Sequence, residues 1–317
     1  MYKIGVIGTG IIGHTHLRTI SQSDECEIAA VVDVNPEKAE SAAKEYGVPF
    51  YTDYKEIKEI KESIDAVIIN LPHFLHCEVS CYFLEKGIHV LCEKPMATSV
   101  SECVKMKETA DKNGAKLAIG HVQRFFGANE VLRNMYKEEK FGKLAMINER
   151  RNTNYFSESR PRWFLDKKLA GGGIMMNYGA HGLDKLFTLM GDTKITSLHA
   201  NCGNLLDGYD VEGHAQVYLE FENGISSVMT YSAYSDFEVN ETTYYFRDGA
   251  VRVYNSNNIE IATNGKFEPY EFTEEYPPFV KQLHQFVRYI EGKESTIPTP
   301  EFGTRVIETI KKVYGEN

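Results

Sequence analysis

Residues 3–13, Lys3-Ile4-Gly5-Val6-Ile7-Gly8-Thr9-Gly10-Ile11-Ile12-Gly13, run from an apolar strand pattern into G-x-G-x-x-G and on into a helix. No other stretch limits the fold as sharply. Each glycine of the hexad answers its own steric demand. Gly8 lets the chain turn off the strand, Gly10 lets backbone come against a pyrophosphate, and Gly13 lets the helix sit close on the sheet. That helix, expected over 11–22, would aim unpaired N–H groups and the positive end of its dipole at the phosphate. A second apolar run, 28–32, ends in Asp33, which lies 20 residues after Gly13, where a carboxylate can accept hydrogen bonds from an adenosine ribose. Taken alone, the glycines could form an ordinary turn and Asp33 could cap a loop. Strand, glycines, helix, strand and acid in that order point to dinucleotide binding.

Strand and helix keep alternating. Helices are expected over 36–46, 54–60, 76–86 and 99–113, the first with Pro36 at its start, and Gly47, Gly87 and Gly114 stand at three of the ends. Strands fall at 48–51, 65–70, 88–91 and 116–120, and the run 65–70 is apolar on both faces, as a central parallel strand must be. This reads as a doubly wound Rossmann sheet, whose ligands bind beyond the strands' carboxyl ends, where Asn70, Glu93, Lys94 and His121 fall. From about residue 122 the period changes. A helix near 129–139 precedes two-residue alternation at 144–151, 195–201, 215–221, 225–231, 242–247 and 251–254, with turn signals at 222–224 and 247–249 and closing helices at 278–291 and 301–314. The expected architecture is therefore α/β: a dinucleotide-binding domain over 1–121, then an α+β domain over 122–317 with a mostly antiparallel open sheet. An open sheet has two faces, and two closing helices are too few to cover one while the first domain occupies the other. Val217, Leu219 and Phe221 are apolar candidates for an exposed face through which a homodimer or homotetramer would form.

Composition excludes other classes. The chain has 317 residues, 42% hydrophobic and 25% charged, enough for a sizeable core, and a net charge of −10 that offers nothing to a nucleic-acid backbone or an anionic membrane. Met1 leads directly into the first strand and no apolar run approaches a membrane span, so the cytoplasm is the expected compartment. The six cysteines form no C-x-x-C pair and the ten histidines no H-E-x-x-H, so no metal is expected. Cys77 and Cys81, one helical turn apart, read as buried small apolar residues.

Four features together resemble the Gfo/Idh/MocA oxidoreductases: the hexad Gly8–Gly13, the segment Asn70-Leu71-Pro72 with His76 after it, Glu93-Lys94-Pro95, and Gly171-Gly172-Gly173 followed by His181 and Asp184. The resemblance implies hydride transfer between a nicotinamide and a hydroxyl-bearing carbon of a sugar, cyclitol or nucleotide-linked sugar. It also implies cofactor contacts at Gly8, Gly10, Ile11, Ile12, Gly13, Asp33, Asn70, Pro72, His76, Glu93 and Lys94. Asp33 would meet a 2′-phosphate with like charge, which favours NAD over NADP.

Oxidising a secondary alcohol needs a group that takes the hydroxyl proton and a positive charge beside the developing alkoxide. Lys94 and His181 suit these roles. Many relatives carry aspartate four residues before the histidine, whereas this chain has Asn177, which can hydrogen-bond but can neither take a proton nor stabilise an imidazolium by charge. Either His181 or Lys94 could then be the base. Arg124, Tyr155, Arg162, Trp163 and Tyr178 are candidate substrate contacts, since sugars are held by planar faces and fork-like donors. Two other readings stay open: an NAD-dependent glycoside hydrolase using transient redox chemistry, and a non-catalytic NAD(P)-binding sensor. Retention of both Lys94 and His181 speaks against the sensor.

Overall fold

The computed structural model, which describes residues 1–60 and 64–316, opens on β1 (Tyr2–Ile7), whose last four residues are buried. There follow α1 (Ile11–Ser21), β2 (Cys26–Val32), α2 (Pro36–Tyr46), β3 (Phe50–Tyr51), a 3₁₀ turn at Tyr54–Ile60, β4 (Ala66–Ile69), α3 (His76–Leu84), β5 (His89–Glu93), α4 (Val100–Asn113) and β6 (Leu117–Gly120). Local chemistry sets the helix ends. Asn35 accepts from the N–H groups of Glu37 and Lys38 at the start of α2, and Gly47 closes it at φ 70°. Ser99 and Glu102 form a reciprocal capping box before α4, and Gly114 ends that helix at φ 64°.

The six strands are all parallel in the order β3-β2-β1-β4-β5-β6. The chain therefore leaves β1 toward β2 and β3 on one side and reaches β4, β5 and β6 on the other, which makes the carboxyl ends of β1 and β4 the switch point where such sheets bind ligands. Ile68, Ile69, Val90 and Ala118 are wholly buried, each large aliphatic among them worth about 1.5–3 kcal/mol of burial.

The second sheet is built from α5 (Gly127–Lys137), β7 (Leu144–Asn154), α6 (Lys167–Ala170), a π-helical turn at Met175–Gly179, α7 (Ala180–Met190) and the strands β8 (Ile195–Gly203), β9 (His214–Phe221), β10 (Ser226–Ser232), β11 (Tyr234–Phe246), β12 (Gly249–Tyr254), β13 (Asn258–Ala262) and β14 (Phe267–Pro269). Its order is β14-β13-β12-β11-β7-β10-β9-β8. β7 and β10 run parallel, and every other pairing among the described strands is antiparallel. β11 starts earlier than the alternation suggests, because its first half is polar and exposed, and β13 and β14 were not anticipated.

Two expectations are corrected. Val217, Leu219 and Phe221 do not face outward: they are at most 1% exposed. The pleat has two parities, and α7 covers theirs, as Gly182 abutting Tyr231 and Met229 shows. The opposite parity carries the exposed apolar side chains Met146, Tyr218 and Val228. Secondly, the chain after residue 121 does not all belong to one body. Two compact units form, Met1–His121 with Tyr276–Ile307, and Val122–Glu275 with Glu308–Asn317. The last two helices, α8 (Pro278–Ile290) and α9 (Pro300–Val313), explain the division. In α8, Phe279 meets the His16 ring of α1 edge-on at 5.2 Å and His284 reaches Glu25 at 2.7 Å.

Candidate active site

At the end of β1 the backbone leaves no room for side chains. Gly8 sits at φ 92°, and a β-carbon there would come within 2.5 Å of the Asn70 carbonyl oxygen; one at Gly13 would overlap the Gly8 carbonyl. Gly10 differs, because nothing lies within 4 Å of the position its β-carbon would take. It is the N-cap of α1 and supplies no side-chain acceptor, so no side chain caps the first N–H groups of the helix. Ile11 and Ile12 beside it are 88% and 41% exposed, an apolar pair at a helix terminus that a ligand would cover. Asp33 ties the two neighbouring loops: Oδ2 accepts from Thr9 N at 2.9 Å and Thr9 Oγ1 at 2.8 Å, and Oδ1 accepts from Asn35 N at 3.0 Å. It caps these loops and keeps lone pairs for a ribose. An uncapped helix start, a close-approach glycine and a fixed acid suit a dinucleotide.

The loops after β4 and β5 are braced from below. His76 is wholly buried, with Nδ1 2.8 Å from the Pro95 carbonyl and Nε2 2.8 Å from the Leu71 carbonyl. Burial holds its pKa below the ordinary value although both carbonyls favour the charged form. Its ring acts on a ligand only through the loops it joins. Glu93 accepts Lys94 N at 3.1 Å on Oε2 and meets His16 Nε2 at 3.1 Å on Oε1, with Gly120 leaving room for its carboxyl group. Burial alone would raise this acid, but His16, the Lys94 charge and the Lys94 N–H outweigh it and hold it below its ordinary range. Lys94 is half-buried on the loop so fixed, before a cis bond to Pro95. His16 was missed at the sequence level, where its only visible trait was closeness to the glycine turn.

In the second unit a carboxylate organises the glycine run. Glu212 accepts from Gly173 N at 2.7 Å, Met175 N at 2.8 Å and the Tyr314 hydroxyl at 2.7 Å, so one acid secures the start of the π-helical turn. Beyond this anchor come Asn177, 7% exposed, Tyr178, half-buried with its ring centroid 6.5 Å from that of His181, and half-buried His181 itself. Arg151 stacks over Tyr178 at 4.2 Å and Arg160 over Tyr155 at 3.9 Å. Tyr155 is wholly buried, which pushes its phenol up against the opposing charge of Arg160; the Asn177 side chain acts on the same phenol. Trp163 stacks on Phe164 at 3.7 Å, and Arg162 is exposed.

Arg124 is held by a carboxylate. Its fork engages Asp184, 0% exposed, through Nε at 3.2 Å and Nη2 at 2.8 Å. Below α7 a second buried pair joins Lys185 to Glu149 at 2.7 Å and to Thr242 at 2.6 Å. Among the described residues no three His, Cys, Asp or Glu side chains gather as metal ligands, and no helix is long and apolar enough to cross a membrane.

Residues 2–121 match the model of an oxidoreductase family with an NAD-binding Rossmann fold, Gfo/Idh/MocA, and residues 130–252 match that family's C-terminal domain. The chain belongs to the Gfo/Idh/MocA family. Similar proteins include the glucose-6-phosphate 3-dehydrogenase of Bacillus subtilis, 28% identical over 71% of this chain and 66% of that protein, so the chain spans just under two thirds of that relative's length. The D-glucoside 3-dehydrogenase of Escherichia coli is 25% identical over 98% of this chain and 94% of its own. Among solved structures, an aldose–aldose oxidoreductase from Caulobacter crescentus complexed with glycerol superposes with a TM-score of 0.90 at 22% identity, covering 99% of this chain and 96% of that one, a likeness of fold.

Within this Gfo/Idh/MocA chain, the first unit's expected residues lie at the carboxyl ends of four strands, β1, β2, β4 and β5, on both sides of the sheet's switch point. In the second unit the structure brings Tyr155, Asn177, Tyr178 and His181 together with Arg151, Arg160 and Glu212, for which the sequence held no local signal, and pairs Arg124 with Asp184.

Proposed function

We propose that the protein is an NAD-dependent dehydrogenase acting on a secondary hydroxyl carbon of a sugar, cyclitol or nucleotide-linked sugar. The observation that carries this reading is the uncapped N-terminus of α1 with open space at Gly10, beside the fixed carboxylate of Asp33. When bound, the nicotinamide supplies the hydride acceptor or donor. Gly8, Gly10, Ile11, Ile12 and Gly13 would hold the pyrophosphate and Asp33 the ribose, and Asn70, Pro72, His76, Glu93 and Lys94 would order the remaining loops around the cofactor. Lys94 stabilises the developing alkoxide, His181 accepts the hydroxyl proton, and Asn177 hydrogen-bonds near it. The names of the Bacillus and Escherichia relatives, both 3-dehydrogenases of glucose-derived molecules, support a sugar ring as substrate.

Because Thr9 holds Oδ2 of Asp33, the carboxylate cannot easily swing away from a 2′-phosphate, which favours NAD. The test is NADH absorbance on a panel of sugars, cyclitols, sugar phosphates and nucleotide sugars, with each cofactor in turn. Turnover with kcat/KM about 10-fold or more higher for NAD is expected, each factor of ten being about 1.4 kcal/mol of like-charge repulsion. No turnover anywhere on the panel overturns the dehydrogenase reading, and equal cofactor use overturns the preference. The exposed sheet face, with Met146, Tyr218 and Val228 at 49%, 37% and 41% exposure, is the proposed surface of a homodimer or homotetramer. Light scattering that finds only a 36.0 kDa species at micromolar concentration removes that proposal.

A further inference from the structure

Among the described residues four arginines pair with carboxylates: Arg124 with Asp184, Arg133 with Glu130, Arg247 with Asp248 and Arg252 with Glu260. Arg151 and Arg160 are different. Among the described residues neither has a carboxylate within ion-pair distance. Instead the guanidinium of Arg151 lies over Tyr178 at 4.2 Å, and that of Arg160 lies over Tyr155 at 3.9 Å, Phe164 at 5.2 Å and Tyr178 at 6.0 Å. Arg160 Nη2 reaches the Tyr178 hydroxyl at 3.4 Å, while its Nε is buried with no acceptor. Two carboxylates send charge into the cluster, and both are committed elsewhere. Glu212, felt at Tyr155, holds Gly173, Met175 and Tyr314, and Glu149, felt with Arg151 at Tyr231, holds Lys185. A protein with net charge −10 thus holds, among its described residues, two guanidiniums without an ion pair near one tyrosine, Tyr178, whose ring lies 6.5 Å from that of His181.

Stacking does not exhaust a guanidinium. The aromatic ring takes one flat face by cation–π attraction, while the N–H donors lie in the plane of the group and stay available at its edge. A planar carboxylate or a phosphate accepts two such donors at once, which a neutral sugar hydroxyl cannot do. The rings hold each guanidinium in place before an anion arrives, so little side-chain freedom is lost on binding.

We propose that Arg151 and Arg160, mounted on Tyr155 and Tyr178, form an anion subsite beside His181 that takes the carboxylate or phosphate group of an acidic sugar substrate. This rests on the dehydrogenase reading for the word substrate, but the subsite itself is tested by binding. Trp163 is the single tryptophan and stacks on Phe164, the ring that Arg160 also covers, so intrinsic fluorescence follows occupancy without turnover.

The NAD-loaded protein is titrated with glucose, glucuronate and glucose 6-phosphate at constant ionic strength, with calorimetry as a second readout. The subsite predicts saturable binding of glucuronate, glucose 6-phosphate or both at concentrations at least about 10-fold below any seen for glucose, in keeping with charge-assisted bidentate bonds. The anion that binds tells carboxylate from phosphate. Arg160→Gln should weaken that binding by about 10-fold or more and Arg160→Lys by less, because lysine keeps the charge and loses the fork. Arg151→Gln serves if circular dichroism shows Arg160→Gln misfolded. Equal binding of glucose and both anions, no saturable binding of any of the three, or unchanged anion affinity in a folded Gln variant overturns the subsite. An anion bound through Arg160 but never oxidised leaves the subsite standing and counts only against the dehydrogenase reading.

Discussion

The two units build their sites from different materials. In the first, backbone does most of the work: glycines remove side chains, an uncapped helix offers N–H groups, and Asp33, His76 and Glu93 fasten loops to one another. In the second, the candidate site is a stack of large side chains drawn from a strand, a loop and a helix, Arg151, Tyr155, Arg160, Tyr178 and His181, with Glu212, just before β9, holding the start of the π-helical turn. A backbone site recognises what every dinucleotide shares. A side-chain site can be rebuilt for each substrate without disturbing the first.

The sharpest test of that contrast compares two glycines of the same loop. Gly8→Ala places a β-carbon within 2.5 Å of the Asn70 carbonyl at φ 92°, so it should destabilise the fold by about 3 kcal/mol or more. Gly10→Ala meets open space and an extended backbone, so stability should stay within about 0.5 kcal/mol while NAD affinity falls by about 10-fold or more. Chemical denaturation and NAD titration separate the two effects. If both variants lose stability alike, the open space at Gly10 is not what it is taken to be.

Next in size is Lys94, a side chain acting within the backbone-built unit. Lys94→Ala should lower kcat on the true substrate by about 10²-fold or more while leaving NAD affinity nearly unchanged, since the pyrophosphate and ribose contacts proposed above lie at Gly8–Gly13 and Asp33. Near wild-type kcat would show that this loop only holds cofactor. In the second unit, Glu212→Ala removes the acceptor of two backbone N–H groups and a tyrosine hydroxyl, and should cost roughly 2–3 kcal/mol, charged hydrogen bonds being worth about 1.5–3 kcal/mol each before water repairs some of them. Glu212→Gln should recover part of it, because an amide carbonyl still accepts. A neutral result for Glu212→Ala would mean the π-helical turn holds itself.

How much the sequence disclosed follows the same division. Signals for the first unit are local: Pro36 and Gly47 bound α2, Ser99 and Gly114 bound α4, and the glycine hexad carries its own spacing. The second unit's site depends on partners far apart in the chain. The ion pair of Arg124 with Asp184 spans 60 residues, and only the fold brings the two together. Arg151 and Arg160 gave no signal because an arginine on a strand or in a loop looks solvated until a ring is found beneath it. The return of Tyr276–Ile307 to the first unit was illegible for a related reason: an amphipathic helix declares that one face is covered, not by what.

The smallest expected effect is on pH dependence, and it should fall on the first unit. His76 is buried and held below its ordinary value of 6.5, so its contribution to stability is complete above that pH and is lost as pH falls from 6.5 toward the folded value. Glu93, held below its ordinary value of 4.5, contributes stability that is complete above pH 4.5 and lost below it. Acidification should therefore weaken β4, β5 and the loops after them in two steps, first through His76 together with His89 of β5, which burial and the Lys116 charge also hold below its ordinary value, and then through Glu93. Hydrogen exchange resolved by mass spectrometry, followed from pH 8 to pH 4 with intrinsic rates corrected for pH, can see this. Amides of β4 and β5 should lose protection before those of β9 and β10, and His76→Gln, which cannot be charged, should shrink the first step while leaving the second. Simultaneous loss across both units would mean that acid acts on the whole chain through its net charge, and that the buried imidazole between Leu71 and Pro95 is not what couples the cofactor loops to pH.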